Sequence, residues 1–238
     1  YFDGTGDRLN ITSALSISGD FTIEGWFMRT PGFDAQGGYI WDMQTPRASL
    51  LVQSGGAFRV YASGDIAQSP AGNCTLNEWV HFALVRQGSG TNNCVFYVNG
   101  TSVQTFTDTG LYNTSGAFTL GGRYAEFSGA FYTEGYLRDF RIVETAVYTS
   151  NFTPPTAPLT AITNTKFLLG QLPYFKDQSA SNHAITVTGD VSLKLISLFD
   201  NGAYSEADHG ASAYFGGGVN LGSGDYLNLN GDAEFAFG

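Results

Sequence analysis

In "DFTIEGWF", residues 20 to 27, Phe21, Ile23, Gly25 and Phe27 fall on one side and Thr22, Glu24 and Trp26 on the other. A period of two marks a strand with one face in a core, so a half-buried strand is expected. "SLLVQSGGAFRVYASG" (49 to 64) reads as two strands around Ser-Gly-Gly, a hairpin signal. "EWVHFALVRQGSGTNNCVFYVNG" (78 to 100) is apolar on both faces of each half, with a Gly/Asn-rich connection between them and Asn99-Gly100 as the closing turn. That pattern predicts adjacent strands near the middle of a sheet, covered on both sides. "AFTLGGRY" and "GYLRDFRIV" add two short strands. Strands recur every 8 to 15 residues without a helical pattern. The expected fold class is therefore all-β, an antiparallel β-sandwich of jelly-roll type.

Composition agrees with this and narrows the partners. With 238 residues, 42% hydrophobic and 15% aromatic, the chain can build a sizeable core. Its 31 glycines and the absence of long Ala/Leu/Glu/Lys runs disfavour helix. A net charge of −10 repels a phosphate backbone, so nucleic acid is excluded as an expected partner. No apolar run approaches the roughly 18 residues of a membrane-crossing helix, so membrane insertion is not expected. Tyr1 stands inside a strand-like motif with no Met before it, which reads as a piece of something longer. Cys74 and Cys94 flank opposite ends of the predicted hairpin, and a bridge needs Cα atoms within roughly 7 Å, so free thiols are expected. N-x-S/T sequons at Asn10, Asn73, Asn99, Asn113 and Asn151 read as chance in a chain this rich in Asn and Thr.

The series "DFTIEGWF", "EWVHFALVR…VFYVNGTSV" and "FTLGGR…EGYLRDFRIV" resembles the laminin-G-like jelly roll of the concanavalin A-like lectin and glucanase superfamily over about residues 1 to 150. "FRIVETAVYTSNFTPPTAPLTAITNTKFLL" further resembles the segment between laminin-G-like repeats in structural proteins of marine tailed phages. The resemblance implies that the proline-rich arm closes one jelly roll and that "NTKFLL" opens the next. An internal echo supports a repeat. Tyr1-Phe2 matches Tyr214-Phe215, and Gly6 to Ile11 matches Gly224 to Leu229, a period of about 213 to 218 residues. The expected domains are a laminin-G-like jelly roll over 1–160, then a linker and the opening strands of a following, partial repeat over 161–238. Residues 1 to 11 and 214 to 229 should fill equivalent slots, and about 166 to 229 should open a second sandwich. Such an incomplete sandwich should be completed by residues beyond Gly238 or by another subunit, so the chain is expected to be oligomeric or part of a longer polypeptide.

The chemistry is sparse. Glucanases of this superfamily carry an E-x-D-x-x-E trio, because a retaining mechanism needs two carboxylates roughly 5 Å apart. Here Glu24, Glu78, Glu126, Glu134, Glu144, Glu206 and Glu234 are scattered singly, so no enzymatic activity is expected. His81, His183 and His209 are far apart, and His81 reads as a packed, hydrogen-bonded strand residue. "GGGVNLGSG" (216 to 224) lacks the Lys-Ser/Thr of a phosphate loop and reads as a turn. Asp3, Asp7, Asp42, Asp200 and Asp208 lie in expected turns, and none forms a dense oxygen-ligand loop. No cofactor is called for by the residues, and the superfamily resemblance makes Ca²⁺ the one to test.

Sugar sites use an aromatic face with nearby Asp, Asn or Arg, set on loops of a rigid scaffold. Two segments qualify. "YIWDMQTPR" (39 to 47) supplies Trp41, Asp42 and Arg47, and "RYAEFSGAFYTEGY" (123 to 136) supplies Arg123, Tyr124, Glu126 and Tyr132, with Phe127 and Phe131 beside them. The alternative is that these rings plug the ends of the sandwich or bury against a neighbour. The function expected from all this is a non-enzymatic structural and adhesive module of a virion, in a tail fibre, capsid-attached fibre or other appendage. It would contact neighbouring copies, other virion proteins or host surface glycans, at a virion surface or outside the cell. The rival is a carbohydrate-binding lectin module of a secreted or cell-surface bacterial protein.

Overall fold

The structure, a computed structural model, describes residues 1–13, 15–32, 37–43, 48–62, 65–110, 112–113, 118–123, 131–170 and 172–194. The chain divides into two units, Tyr1–Phe199 and Asp200–Gly238, and the second lies outside the described residues, along with Asp200, Asp208, "GGGVNLGSG" and the 214–229 echo. Among the described residues every element is a strand.

One sheet holds β1 (Phe2–Asp3), β4 (Phe21–Arg29), β9 (Val80–Arg86), β10 (Cys94–Val98), β11 (Thr101–Phe106), β14 (Glu134–Val143) and β15 (Thr165–Leu169). Its order is β1-β14-β4-β9-β10-β11, and β15 also pairs with β14. The other holds β2 (Arg8–Ile11), β5 (Gly38–Met43), β6 (Ala48–Val52), β7 (Phe58–Ala62), β8 (Asp65–Gln68), β13 (Phe118–Leu120) and β16 (Ile185–Thr188), in the order β16-β2-β13-β5-β6-β7-β8. A small ribbon joins β3 (Ser16–Ile17) to β12 (Tyr112–Asn113). The strand pairs are antiparallel, and the inward faces meet in one core. This is the antiparallel sandwich expected. Period-two alternation puts Phe21, Ile23 and Phe27 of β4 and Phe82 and Leu84 of β9 in that core, where burying each large ring stabilises by roughly 1.5–3 kcal/mol.

The boundary expected at residue 160 is corrected. β15 pairs with β14 as Phe140↔Leu169 and Ile142↔Phe167, and β16 pairs with β2 as Ile185↔Ile11 and Val187↔Leu9. Phe167 is fully buried, with its ring 5.7 Å from Phe118 and 6.1 Å from Phe140. The "FLL" and "AITVTG" strands therefore complete the first sandwich and do not open a second. The physical reason lies in the free side of β14: beyond its short pairing with β1, that side is an edge that an apolar strand can cap.

The half-buried reading of "DFTIEGWF" is corrected as well. Residues 144–160 run back as an arm across the outer face of the first sheet. Thr22 Oγ1 donates to Thr145 O at 2.8 Å and accepts from Val147 N at 2.9 Å. Phe152 N donates to Gly100 O at 2.9 Å, and Phe152 stacks on Tyr148 at 3.5 Å over Ala83, Val85 and Tyr97. Gly100, with φ +75°, is required here, since a Cβ would lie 1.8 Å from Phe152 O. Leu159 N donates to the buried Asp139 carboxylate at 3.1 Å. Thr22 and Glu24, expected on a solvent face, are 0% exposed.

Candidate functional site

The seven residues expected at a sugar site fare differently. Trp41 is 0% exposed and sits in the core, because the bulge between Tyr39 and Trp41 turns its side chain inward, level with Leu50 and Val60. A ring without an exposed face cannot stack on a sugar, so that expectation is corrected. Asp42 is buried on the outer face of the second sheet, in a row with Ser49, Tyr61 and Thr119. Arg123 and Tyr132 are half-buried, Tyr132 lying against Gly122. Arg47, Tyr124 and Glu126, with Phe127, lie outside the described residues.

One row along from Asp42, on the same outer face, Tyr39 pairs with Leu51 and Leu51 with Arg59. Together with Gln53, Tyr61 and Phe131 these residues border an open depression of about 210 Å³. Strands β5, β6 and β7 hold its floor. Phe131 closes one side: its carbonyl accepts from Tyr39 N at 3.2 Å, and its ring meets Tyr39 edge-on at 5.9 Å. Two residues on, Thr133 Oγ1 donates to Tyr39 O at 2.7 Å, and its backbone packs so close to Gly38 that a Cβ there would lie 2.7 Å from Thr133 Cα. Phe131 adopts φ +53°, a left-handed conformation that costs a bulky residue of order 1–3 kcal/mol and is held by these contacts. The depression thus presents the half-buried rings of Tyr61 and Phe131 beside the buried Tyr39, with one guanidinium and one amide, and no described residue lining it is a carboxylate. Among the described residues none of the seven expected ones lines the depression; of the rings noted beside them Phe131 does, and Tyr39, Gln53, Arg59 and Tyr61 converge through register between strands, which the sequence does not show.

A second polar constellation was also missed. Under the arm, Glu24 Oε1 accepts from Arg141 Nε at 3.0 Å and Nη2 at 2.6 Å, while Oε2 accepts from Tyr148 Oη at 2.7 Å and lies 3.3 Å from His81 Nε2. Arg141 Nη1 donates to Thr160 O at 2.7 Å. Burial pushes the Glu24 carboxyl up, but the His81 imidazole beside it, the Arg141 guanidinium and the Tyr148 hydroxyl outweigh it, leaving it below its ordinary value. Burial, and after it the same carboxylate, drive the Tyr148 hydroxyl well above the usual phenol range. Glu24 and His81 are 0% exposed, so this cluster clamps the arm and offers no access to a ligand.

The carboxylates of Asp3, Asp7 and Asp190 have oxygens within 4.8 Å of one another, the one such group found among the described residues. They fit a turn tie better than a Ca²⁺ cage, which takes 6–8 oxygens. Asp7, 1% exposed, already accepts from Asp3 N at 3.0 Å and Asp190 N at 2.8 Å, and burial raises its pKa. Cys74 and Cys94 are free and buried, each thiol pushed up to about 12 by burial.

The profile of the Concanavalin A-like lectin/glucanases superfamily, in its laminin-G form, matches residues 3–150. The chain belongs to that superfamily. Among solved structures, this superfamily member is similar to a Bacteroides ovatus protein assigned a carbohydrate-binding role, at 16% identity and TM-score 0.54 over 80% of this chain and 62% of that one. It is also similar to a heptameric SAP-like pentraxin of Limulus polyphemus (20% identity, TM-score 0.48, 62% of this chain and 76% of that one). Domains LG4-5 of the mouse laminin α1 chain align at 16% identity and TM-score 0.45, over 63% of this chain and 44% of that one. No curated protein sequence matches.

Proposed function

We propose that this chain is a non-enzymatic saccharide-binding module, and that it holds its ligand in the depression on the second sheet. The observation that carries the reading is the convergence of Tyr39 on β5 and Arg59 and Tyr61 on β7, fixed through their common pairing with β6, with Gln53 just past β6 and Phe131 tied to Tyr39 by a backbone hydrogen bond. Aromatic faces take the apolar side of a sugar ring, and guanidinium and amide groups take its hydroxyls. Glycoside hydrolysis needs a pair of carboxylates at the bond, and the described lining offers none. The carbohydrate-binding role assigned to the Bacteroides ovatus protein supports the ligand class. The setting we propose is an adhesive appendage of a virion, carried by the sequence of the arm and by the echo of residues 1–11 at 214–229. A secreted or cell-surface bacterial lectin is the second reading, and the same depression favours it equally.

A glycan array followed by calorimetry tests the function. Saturable binding weakened about tenfold or more by Tyr61→Ala and by Arg59→Ala is expected, the scale of an interface hot spot. Silence across the array, or binding indifferent to both changes, would overturn it. Mass spectrometry of purified phage particles tests the setting: peptides of this chain are expected in the particle, and their absence favours the bacterial lectin.

A further inference from the structure

We propose a second saccharide-binding surface on the opposite face of the sandwich, an aromatic row formed by Trp79, Met28, Tyr136 and Tyr1. It takes its ligand class from the function proposed above.

Strand register builds the row. Phe27 pairs with Val80 and Met28 with Tyr136, so Trp79, directly before β9, continues the register beside Met28 of β4 and Tyr136 of β14, on the face that points away from the core. The Trp79 and Tyr136 rings are 6.3 Å apart, and Tyr1 extends the row with its ring 4.8 Å from Tyr136. All four side chains are half-buried, although the same face two rows away is sealed by the arm. Among the described residues none of the arm's hydrogen bonds or ring contacts reaches this row.

The dimensions select the occupant. Three strand spacings of about 4.8 Å and one two-residue step of about 7 Å make a strip on the order of 15 Å by 7 Å. That footprint, roughly 100 Å², is far below the roughly 800 Å² that each partner gives to a stable protein interface. It suits a slim chain lying across the strands. The rim carries both signs: Lys194 lies 5.9 Å over the Tyr1 ring, Glu134 accepts from Thr30 at 2.6 Å, and the half-buried Arg138 pairs with Trp26 one step along β14. Mixed charge favours a ligand rich in hydroxyls and without net charge, so the surface is assigned to a neutral oligosaccharide. Two opposed surfaces on one rigid sandwich would let a single chain bridge two glycans, with the gain in avidity that linkage brings.

Tryptophan emission separates this surface from the depression on the second sheet, which has no tryptophan in its lining. Of the three tryptophans, Trp41 is sealed in the core, Trp79 belongs to the row, and Trp26 stands next to Met28 on the same face, so emission is read in a Trp26→Phe background. The intact chain is titrated with neutral glucose and mannose hexasaccharides, following emission and heat together. A saturable emission change is expected. It should persist in Tyr61→Ala, vanish in Trp79→Phe, and need at least about tenfold more ligand in Tyr136→Ala, with melting temperatures confirming that each variant is folded. Heat of binding that depends on Tyr61 with no emission change would overturn this proposal and leave the proposed function standing. No binding of any kind would overturn this proposal, and the glycan array decides the proposed function separately. A mass doubling by light scattering that Tyr136→Ala abolishes would also overturn it, because the row would then be a contact between copies.

Discussion

Along one face of β4, Thr22 and Glu24 are fully buried, whereas Trp26 and Met28, the next two residues on that face, are half-exposed. The strand and its neighbours are continuous across the change, and what differs is the arm. Where residues 144–160 cross, the sheet carries a carboxylate, a guanidinium, an imidazole and hydroxyls, with the carboxylate fully engaged. Where no arm contact reaches, it carries Trp, Met and Tyr. Along β4 the distribution inverts the ordinary one, with Thr22 and Glu24 covered and Trp26 and Met28 open, while on β9 and β10 the arm also covers the apolar Ala83, Val85 and Tyr97. Covered charge fixes where the arm lies, since the Glu24 carboxylate without its partners would be costly. Half-open aromatics on a rigid strip are what a ligand surface presents.

The largest test removes the arm's far anchor. A chain ending at Thr160 loses β15 and β16, and with them Phe167, Leu168 and the cap on β14. We expect it not to fold stably, a loss of at least about 5 kcal/mol and comparable to a domain's whole stability. A chain ending at Phe199 keeps β15 and β16 and should fold cooperatively. Circular dichroism melts decide between them, and equal stability of the two truncations would restore a boundary at 160. Next, Glu24→Ala in the covered half should cost about 3–5 kcal/mol by leaving Arg141 buried without its carboxylate. Trp79→Ala in the open half should cost less than about 1 kcal/mol. Urea unfolding measures both, and equal costs would erase the contrast.

Gly100→Ala should lose about 1–3 kcal/mol, because it combines a strained φ with a Cβ pressed on the Phe152 carbonyl. A pH series gives a smaller, graded effect. The Glu24 pKa is lower in the folded chain than in the unfolded one, so its contribution is complete above the ordinary carboxylate range. It falls away as pH drops through that range and then through the depressed folded value, and Glu24→Gln should flatten that part of the curve. The smallest effect is at the thiols. Cys74 and Cys94, each pushed up to about 12, should resist a thiol reagent at pH 8 until the protein is unfolded, and rapid labelling of either would contradict its burial.

Much of the fold was legible because it is local. Alternation in "DFTIEGWF" assigned each side chain to its correct face, and the two-sided apolar pattern of "VHFALVR" matched a strand that is buried throughout. What failed was non-local. The cover over Glu24 comes from residues more than 100 positions away, so an outward-facing Glu on an alternating strand looked solvated. Proline residues in the arm looked like the end of a domain because a strand cannot continue through them, yet the chain returns and pairs Leu169 with Phe140. Trp41 was misread because a bulge inside "GYIWDM" shifts which residues point inward, and a bulge has no periodic signature. The aromatic row escaped notice for a related reason: Tyr1, Met28, Trp79 and Tyr136 come from four separate segments and meet only through register.

The division of that sheet face rests on the arm being fixed in the native state, and amide hydrogen exchange tests this most directly. The amides of Val147, Phe152 and Leu159 donate to Thr22 Oγ1, Gly100 O and the Asp139 carboxylate. They should exchange as slowly as those of β9, opening only with the whole sandwich. Exchange of those three at the rate of an unstructured chain, while β4 and β9 stay protected, would contradict the account, because the face beneath the arm would then be as open as the aromatic row.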